Sequence, residues 1–245
     1  NFLFLGVYGY QQSCFYPCDA LMEIAYIIPT LNEEAHLSGT LDSVIAQTGE
    51  KEIIVVDGGS HDETLEIALS YGCKTIVSSP GRGSQMNQGA AAATKTGLLF
   101  LHADTILHKE ASNEIERILC RPGVLSGSFR LEFQPNSRPL RLYAFFSRIN
   151  LPLFNFGDQG LFLLRSTFQA IGGFEEYPIL EDVEIQQRLR SCGQFRKSHL
   201  PVVTSSRRFT KIGPISQQIL NALILTAYYG GANPITLAKL YSHVR

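Results

Sequence analysis

Short apolar runs recur along this chain, and each stops abruptly at carboxylates, glycines or hydroxyls. Residues 26–34 read YIIPTLNEE, residues 53–62 IIVVDGGSHD and residues 98–105 LLFLHADT, while GRGSQMN at 81–87 opens a stretch of small residues. A run of four or five apolar residues bounded by turn formers is the pattern of a strand covered on both faces. Strands are predicted near 24–28, 53–57, 75–78, 98–102, 126–133, 161–165 and 201–204. Helical spacing falls near 33–48, 62–72, 83–95, 109–119, 138–150, 166–171, 182–192 and 214–229. The first half alternates strand and helix strictly, which predicts right-handed crossovers and an α/β, Rossmann-like sandwich with a mainly parallel central sheet flanked by helices. The second half is less regular and mixed.

The C-terminal pattern differs in kind. Pro214 suits a first helical turn and Gly230-Gly231 an end, and between them Ile219, Leu220, Ala222, Leu223, Ile224, Leu225, Ala227, Tyr228 and Tyr229 leave almost no polar face. The segment is shorter than the roughly 20 apolar residues of a membrane span. Two readings stay open: a buried core helix, or an interfacial helix making peripheral membrane contact, backed by the basic stretch at Arg207, Arg208 and Lys211. A second short helix starts at Asn233-Pro234.

With 245 residues, 44% of them apolar, the chain is long enough for one large α/β domain, and no linker divides it. The expected division is a main domain over 22–212, a C-terminal helical segment over 213–245, and an extension over 1–21 without a catalytic role. That extension is aromatic-rich and carries no Lys or Arg ahead of its apolar run, which argues against a secretory signal; Met22 is the expected start. Cys14, Cys18, Cys73, Cys120 and Cys192 form no zinc spacing and read as reduced thiols of a cytoplasmic protein, at the inner face of the membrane if the helix is interfacial.

The net charge of −1 conceals a division. Residues 1–120 carry 6 Lys/Arg against 15 Asp/Glu, and residues 121–245 carry 15 against 7. Nothing acidic follows Glu184. Blocks of one sign suggest a charged partner surface, with a chance bias on a solvated face as the plainer explanation.

The candidate chemistry sits where the predicted strands end, since ligands of open α/β sheets bind along the carboxyl edge. Carboxylates there hold a nucleoside through hydrogen bonds and a diphosphate through a divalent metal. Asp57 closes a strand before Gly58-Gly59 and can accept from a base N–H or a ribose hydroxyl, or cap the next helix. Thr30, Asn32 and Glu33 sit on the neighbouring loop. Arg82 opens a helix and can pair with diphosphate, but Gly81-Arg82-Gly83 is neither a P-loop nor a dinucleotide fingerprint. Strand alternation puts His102 and Asp104 on one face, a set suited to Mn²⁺ or Mg²⁺; a backbone-satisfied histidine is the alternative. Glu181-Asp182 begins a helix, either as partners of its dipole or as a general base facing an acceptor hydroxyl. The turn at Gly157-Asp158-Gln159-Gly160 is placed to shape the acceptor side.

Taken in order, PTLNEE, VVDGGSHD, GRGSQMNQGA, LHADT, FGDQG and the acidic pair at 181–182 resemble family 2 glycosyltransferases of the GT-A fold. The fit is closest to a small bacterial subgroup, the selenodomain-associated transferases, and covers the chain from Met22 onward. The resemblance implies a metal-dependent transferase with a nucleotide-diphospho-sugar donor and no nucleic-acid partner. It places Thr30, Glu33 and Asp57, with Asn32, Gly58, Arg82 and Asn87 beside them, at the donor. Asp104 matches the second acid of the Asp-x-Asp metal motif, whose first acid is His102 here. Asp182, with Glu181 next to it, matches the catalytic base of an inverting reaction, and Asp158 and Gln159 fall on the acceptor side. The Gln-x-x-Arg-Trp motif of processive synthases is absent, which implies single transfer. The acceptor expected from the basic, apolar C-terminal region is amphiphilic or lipid-linked. Two other classes remain: a silent nucleotide-sugar binder, and a nucleotidyltransferase, which would need a Gly-rich basic loop where PTLNEE stands.

Overall fold

The computed structural model describes residues 22–155, 157–209 and 213–242. Residues 1–21, with Cys14 and Cys18, and Lys211 lie outside the described residues, so the extension and that part of the basic stretch stay sequence expectations. In chain order the strands are β1 (Ile24–Thr30), β2 (Lys51–Asp57), β3 (Lys74–Val77), β4 (Gly97–Phe100), β5 (Thr105–Leu107), β6 (Val124–Gln134), β7 (Leu161–Leu164) and β8 (Gln194–Ser205). The helices are α1 (Leu37–Ile45), α2 (Thr64–Ser70), α3 (Arg82–Ala92), α4 (Ala111–Leu119), α5 (Arg138–Phe146), α6 (Arg165–Ala170), α7 (Glu181–Cys192), α8 (Pro214–Tyr229) and α9 (Pro234–Ser242).

One eight-stranded sheet runs in the order β3-β2-β1-β4-β7-β6-β8-β5. Its first four strands pair in parallel, as the regular crossovers require. The expectation of a mainly parallel sheet fails beyond them. β7 runs antiparallel to both β4 and β6, β5 runs antiparallel to β8, and only β6 with β8 restores a parallel pair. The sheet is mixed, because the second half lacks the strand–helix–strand units that return a chain in the same direction. β5 has only three residues, too few for a periodic signal, and was not anticipated. The polar first half of β8 (QFRKSH) likewise masked all but its end.

Alternation along the parallel strands builds a core on each face. Ile24, Tyr26, Ile28, Val55 and Leu99 join one buried cluster with Leu37, Leu41, Ile115 and Ile118 from α1 and α4. Ala25, Ile27, Ile54, Val56, Leu98 and Phe100 join the other, with Met86 and Ala90 of α3 and Ile185 and Leu189 of α7. The small residues of α3 bring it close to the sheet: a Cβ at Gly89 would overlap Ile27, and one at Gly83 would come within 2.7 Å of the Glu175 carbonyl oxygen.

The C-terminal helix is buried on one side only. Ile224 and Leu225 of α8 are buried, whereas Ile215, Ile219 and Leu223 are each more than half exposed. Their spacing of four puts those three on one face. Among the described residues no helix is long and apolar enough to cross a membrane.

Candidate active site

Two loops at the carboxyl edge of the sheet are sewn together by their own polar side chains. Asn32, at a left-handed φ of 54°, accepts from the His61 amide at 2.9 Å and donates its own amide to Ser60 Oγ at 2.8 Å. The Glu33 and Glu34 amides donate to Thr64 Oγ1 and Asp62 Oδ2. Asp57, 2% exposed, accepts from Thr30 Oγ1 at 3.0 Å and from Ser60 Oγ on one oxygen, and from the Gly59 and Ser60 amides at 3.0 and 2.8 Å on the other. A carboxylate has about four acceptor positions, and those of Asp57 are met by Thr30 and by the Gly59-Ser60 turn. Buried Gln85 ties the loops to α3 by donating to the Thr30 and Val56 carbonyls at 2.9 and 2.7 Å. A Cβ at Gly58 would come within 3.2 Å of that amide.

Beside these loops lies a cleft of about 430 Å³ whose walls include Thr30, Glu33, Arg82, Gln85, His102, Asp104, Asp182 and Asn221. It joins residues of β1 and the loop after it, α3, the loop after β4, α7 and α8. On one side Arg82 Nε donates to Glu181 Oε1 at 2.5 Å. Burial opposes the charge on Arg82, but the carboxylates of Glu181, Asp182 and Asp158 outweigh it and hold the guanidinium protonated. Glu181 is 1% exposed on its side chain and does not line the cleft. Asp182 does, and its Oδ2 accepts from the Gly157 amide. Burial, and then the charge of Glu181, push the Asp182 carboxyl above the usual range, with Arg82 and two backbone amides opposing. Gly157 is required there, since a Cβ would sit 2.9 Å from Asp182 Oδ2. Leu180, the residue before α7, has a φ of 66°, a conformation costly for a branched side chain.

Next to Arg82, His102 and Asp104 follow β4 and are each 8% exposed. β4 ends at Phe100, two residues before the expected end, yet both side chains reach the cleft. Arg82 Nη1 lies 3.4 Å from His102 Nε2. Arg207, just beyond β8, pairs with Glu33 Oε1 and places Nε 3.4 Å from Asp104 Oδ2. Burial pushes the Glu33 carboxyl up, partly offset by Arg207, and its Oε2 is buried with no hydrogen-bond partner.

Among the described residues no group of three or more His, Cys, Asp or Glu side chains converges on a metal position. A cation here would have His102 and Asp104 as protein donors and complete its shell with ligand oxygens and water. That mixed nitrogen and oxygen set, with few protein donors, fits Mn²⁺ or Mg²⁺ bound together with a diphosphate. The contacts from Arg207 and Thr204 to the two Asp104 oxygens are both 3.4 Å, long enough to be exchanged for a cation.

Thr30, Glu33, Arg82, His102, Asp104 and Asp182 therefore meet in one cleft. Asn32, Asp57 and Gly58 build the loops beside it. Asn87 is used elsewhere, exchanging two bonds of 2.8 and 2.9 Å with the backbone of Phe174. Gln159 is fully buried and occupied by the Phe154 carbonyl and Lys197 Nζ. Asp158 acts on Arg82 and Lys197 through its charge and does not line the cleft. Sequence reasoning missed Gln85 and Asn221 and counted Arg207 with the membrane-facing basic stretch; it turns inward instead. The charge division was the available signal for Arg207, because a basic half and an acidic half can answer one another.

The profile of Glycosyl transferase family 2 matches residues 26–175. A PGL/p-HBAD biosynthesis glycosyltransferase of Mycobacterium bovis is 33% identical over 208 residues, covering 80% of this chain and 79% of that one. Among solved structures, the mannosyltransferase PcManGT from Pyrobaculum calidifontis, in complex with GDP-Man and Mn²⁺, aligns with a TM-score of 0.65 at 19% identity, over 94% of this chain and 72% of that one. Glucosyl-3-phosphoglycerate synthase from Mycobacterium tuberculosis, with Mn²⁺, UDP and glucosyl-3-phosphoglycerate, aligns with a TM-score of 0.62 at 18% identity, over 88% and 82%. These two likenesses speak for the fold.

Proposed function

This chain belongs to glycosyl transferase family 2, and from that premise we propose that it moves a sugar from a nucleotide-diphosphate donor to an acceptor hydroxyl, once per encounter and with inversion. The observation that carries the reading is Asp182. It lines the cleft with a carboxyl raised by burial, and faces the same space as His102 and Asp104. Such a carboxylate is a competent general base.

Thr30 and Glu33 would face the nucleoside, on loops that Asn32, Asp57 and Gly58 hold in place. Arg82 would pair with the diphosphate, its own position fixed by Glu181. The acceptor hydroxyl gives its proton to Asp182 as its oxygen bonds to the anomeric carbon. The bond from that carbon to the diphosphate oxygen breaks on the opposite face, and the nucleoside diphosphate leaves. A divalent cation held by His102 and Asp104 would neutralise charge on the departing diphosphate. Membership of the selenodomain-associated subgroup and a cytoplasmic setting belong to this proposal, resting on the ordered motifs and the thiol pattern.

Thermal unfolding with UDP, GDP, CDP, ADP and TDP, each with and without Mn²⁺, tests the donor half. A ligand at 100 times its dissociation constant stabilises by about 2.7 kcal/mol. One diphosphate should raise the midpoint, and more so with Mn²⁺; no shift with any of the five would overturn the nucleotide-sugar reading.

A further inference from the structure

Lys197, on β8 opposite Ser128 of β6, carries a charge that the reaction above does not use. It does not line the cleft. Its ammonium donates to Ser128 Oγ at 2.8 Å, to the Phe129 carbonyl at 3.2 Å and to Gln159 Oε1. Ser128, Phe129 and Gln159 are each 1% exposed or less, so the charge ends among buried acceptors. Burial pushes the ammonium well below the ordinary lysine range; Asp158 opposes this with its charge, and Arg190 and Arg130 add to it. Enclosing a charge costs stability, and apolar side chains in place of such a group and its partner commonly serve a fold as well or better. Holding β6 to β8 is therefore a poor reason for a lysine at this position.

Gln159 supplies a better one. Its amide is gripped at both ends, Oε1 by Lys197 and Nε2 by the Phe154 carbonyl at 2.8 Å. It closes the single 3-10 turn Gly157–Gln159, whose first amide donates to Asp182 Oδ2. We propose that Lys197 is a positioning residue that, through Gln159, fixes the Gly157–Gln159 turn and with it the place of the Asp182 carboxylate. The assignment rests on the transferase reading, in which that carboxylate takes the acceptor proton, and adds a residue to the same site. Turn and carboxylate touch closely enough to pass on a displacement, since a Cβ on Gly157 would lie 3.1 Å from Asp182 Cβ. Without the ammonium, the buried Gln159 oxygen has no donor and the turn must shift to find one.

The test is an NMR titration of the full chain, labelled with ¹³C at aspartate carboxyls and ¹⁵N at glycine. The Asp182 and Gly157 signals are assigned by their loss in Asp182→Asn and Gly157→Ala. In the native chain the Gly157 amide should follow the Asp182 titration, because the bond it donates changes with the carboxyl's charge. In Lys197→Met/Gln159→Leu that linkage should be lost. The Asp182 midpoint should also move upward, as the Gly157 amide no longer favours the charged form beside Glu181 and Arg82. A cooperative urea transition certifies the fold of the double variant, and Lys197→Met alone carries the test if there is none. A Gly157 amide that still follows Asp182 at an unchanged midpoint would make Lys197 a brace between β6 and β8 and overturn the assignment. A raised midpoint with the linkage kept would trace the effect to the lysine charge alone and overturn it too. Either result leaves the transferase reading standing if a nucleoside diphosphate binds. Loss of the linkage in a chain that binds none of UDP, GDP, CDP, ADP and TDP would overturn the positioning of a base together with that reading.

Discussion

Arg207 and Glu33, 174 residues apart in sequence, form an ion pair at the cleft, and the same guanidinium lies 3.4 Å from Asp104. The basic second half of the chain thus answers the acidic first half inside the molecule, at the position where a cation would neutralise the same carboxylates. Arg207→Gln should lower the unfolding free energy modestly, by about 1 kcal/mol or less, because the arginine is more than a third exposed. Adding Glu33→Gln should recover most of that loss. A double-mutant cycle by urea denaturation measures the coupling, and strict additivity would mean the pair contributes nothing.

Asp182→Asn should lose transfer by about 10²–10⁴-fold, the usual worth of a general base, while the nucleotide diphosphate binds as before. Equal loss of binding, read by thermal shift, would remove Asp182 from the base role.

The raised Asp182 carboxyl gives a second readout with a definite sign. A carboxyl raised on folding favours the folded state at low pH, below its unfolded value of about 3.9, and that contribution is lost as pH rises through the native value. The stability of Asp182→Asn relative to the native chain should therefore swing in the variant's favour as pH rises above the ordinary carboxylate range. The acid limb of kcat/KM should fall above the ordinary carboxylate range and vanish in the variant. Urea titrations and a pH–rate profile check the two claims separately.

Gly157→Ala places a Cβ 2.9 Å from Asp182 Oδ2 and forces one of them aside. Transfer should drop by at least tenfold, since small displacements of a reacting group are costly, with donor affinity preserved. An unchanged kcat would show that the Gly157 contact does not position the carboxylate.

Gln85→Leu removes the two bonds that tie the Thr30 and Val56 carbonyls to α3, while the Gly58 amide still donates to Thr30. A net intramolecular hydrogen bond is worth about 0.5–1.5 kcal/mol, so the variant should unfold at lower urea and bind donor more weakly, as the 30–34 loop loosens. Thermal and chemical denaturation together test this.

Much of this site was legible one residue at a time. Apolar runs ending in Thr30, Asp57 and Asp104 mark the carboxyl ends of β1, β2 and the turn after β4, because strand burial and turn chemistry are local properties. Asp182 at the start of α7 was legible for the same reason. Beyond β4 the direction of each strand depends on which distant partner it meets, and the mixed half of the sheet was misjudged accordingly.

What the sequence determined by itself was the strand–helix alternation of the parallel half and the set of polar residues delivered to one edge. Only the tertiary structure decided how each was used. Asp57, Asn87 and Gln159 have their hydrogen-bonding capacity taken by the Gly59–Ser60 turn, by Phe174, and by Lys197 and Phe154. Thr30, Glu33, Arg82, His102, Asp104 and Asp182 face the cleft together. The physical reason is that a polar side chain offers a fixed number of bonds, and which groups take them is settled by residues dozens to hundreds of positions away. The half-exposed α8 follows the same logic. Its apolar residues were plain in the sequence, but only packing shows that one side closes the cleft and the other is exposed.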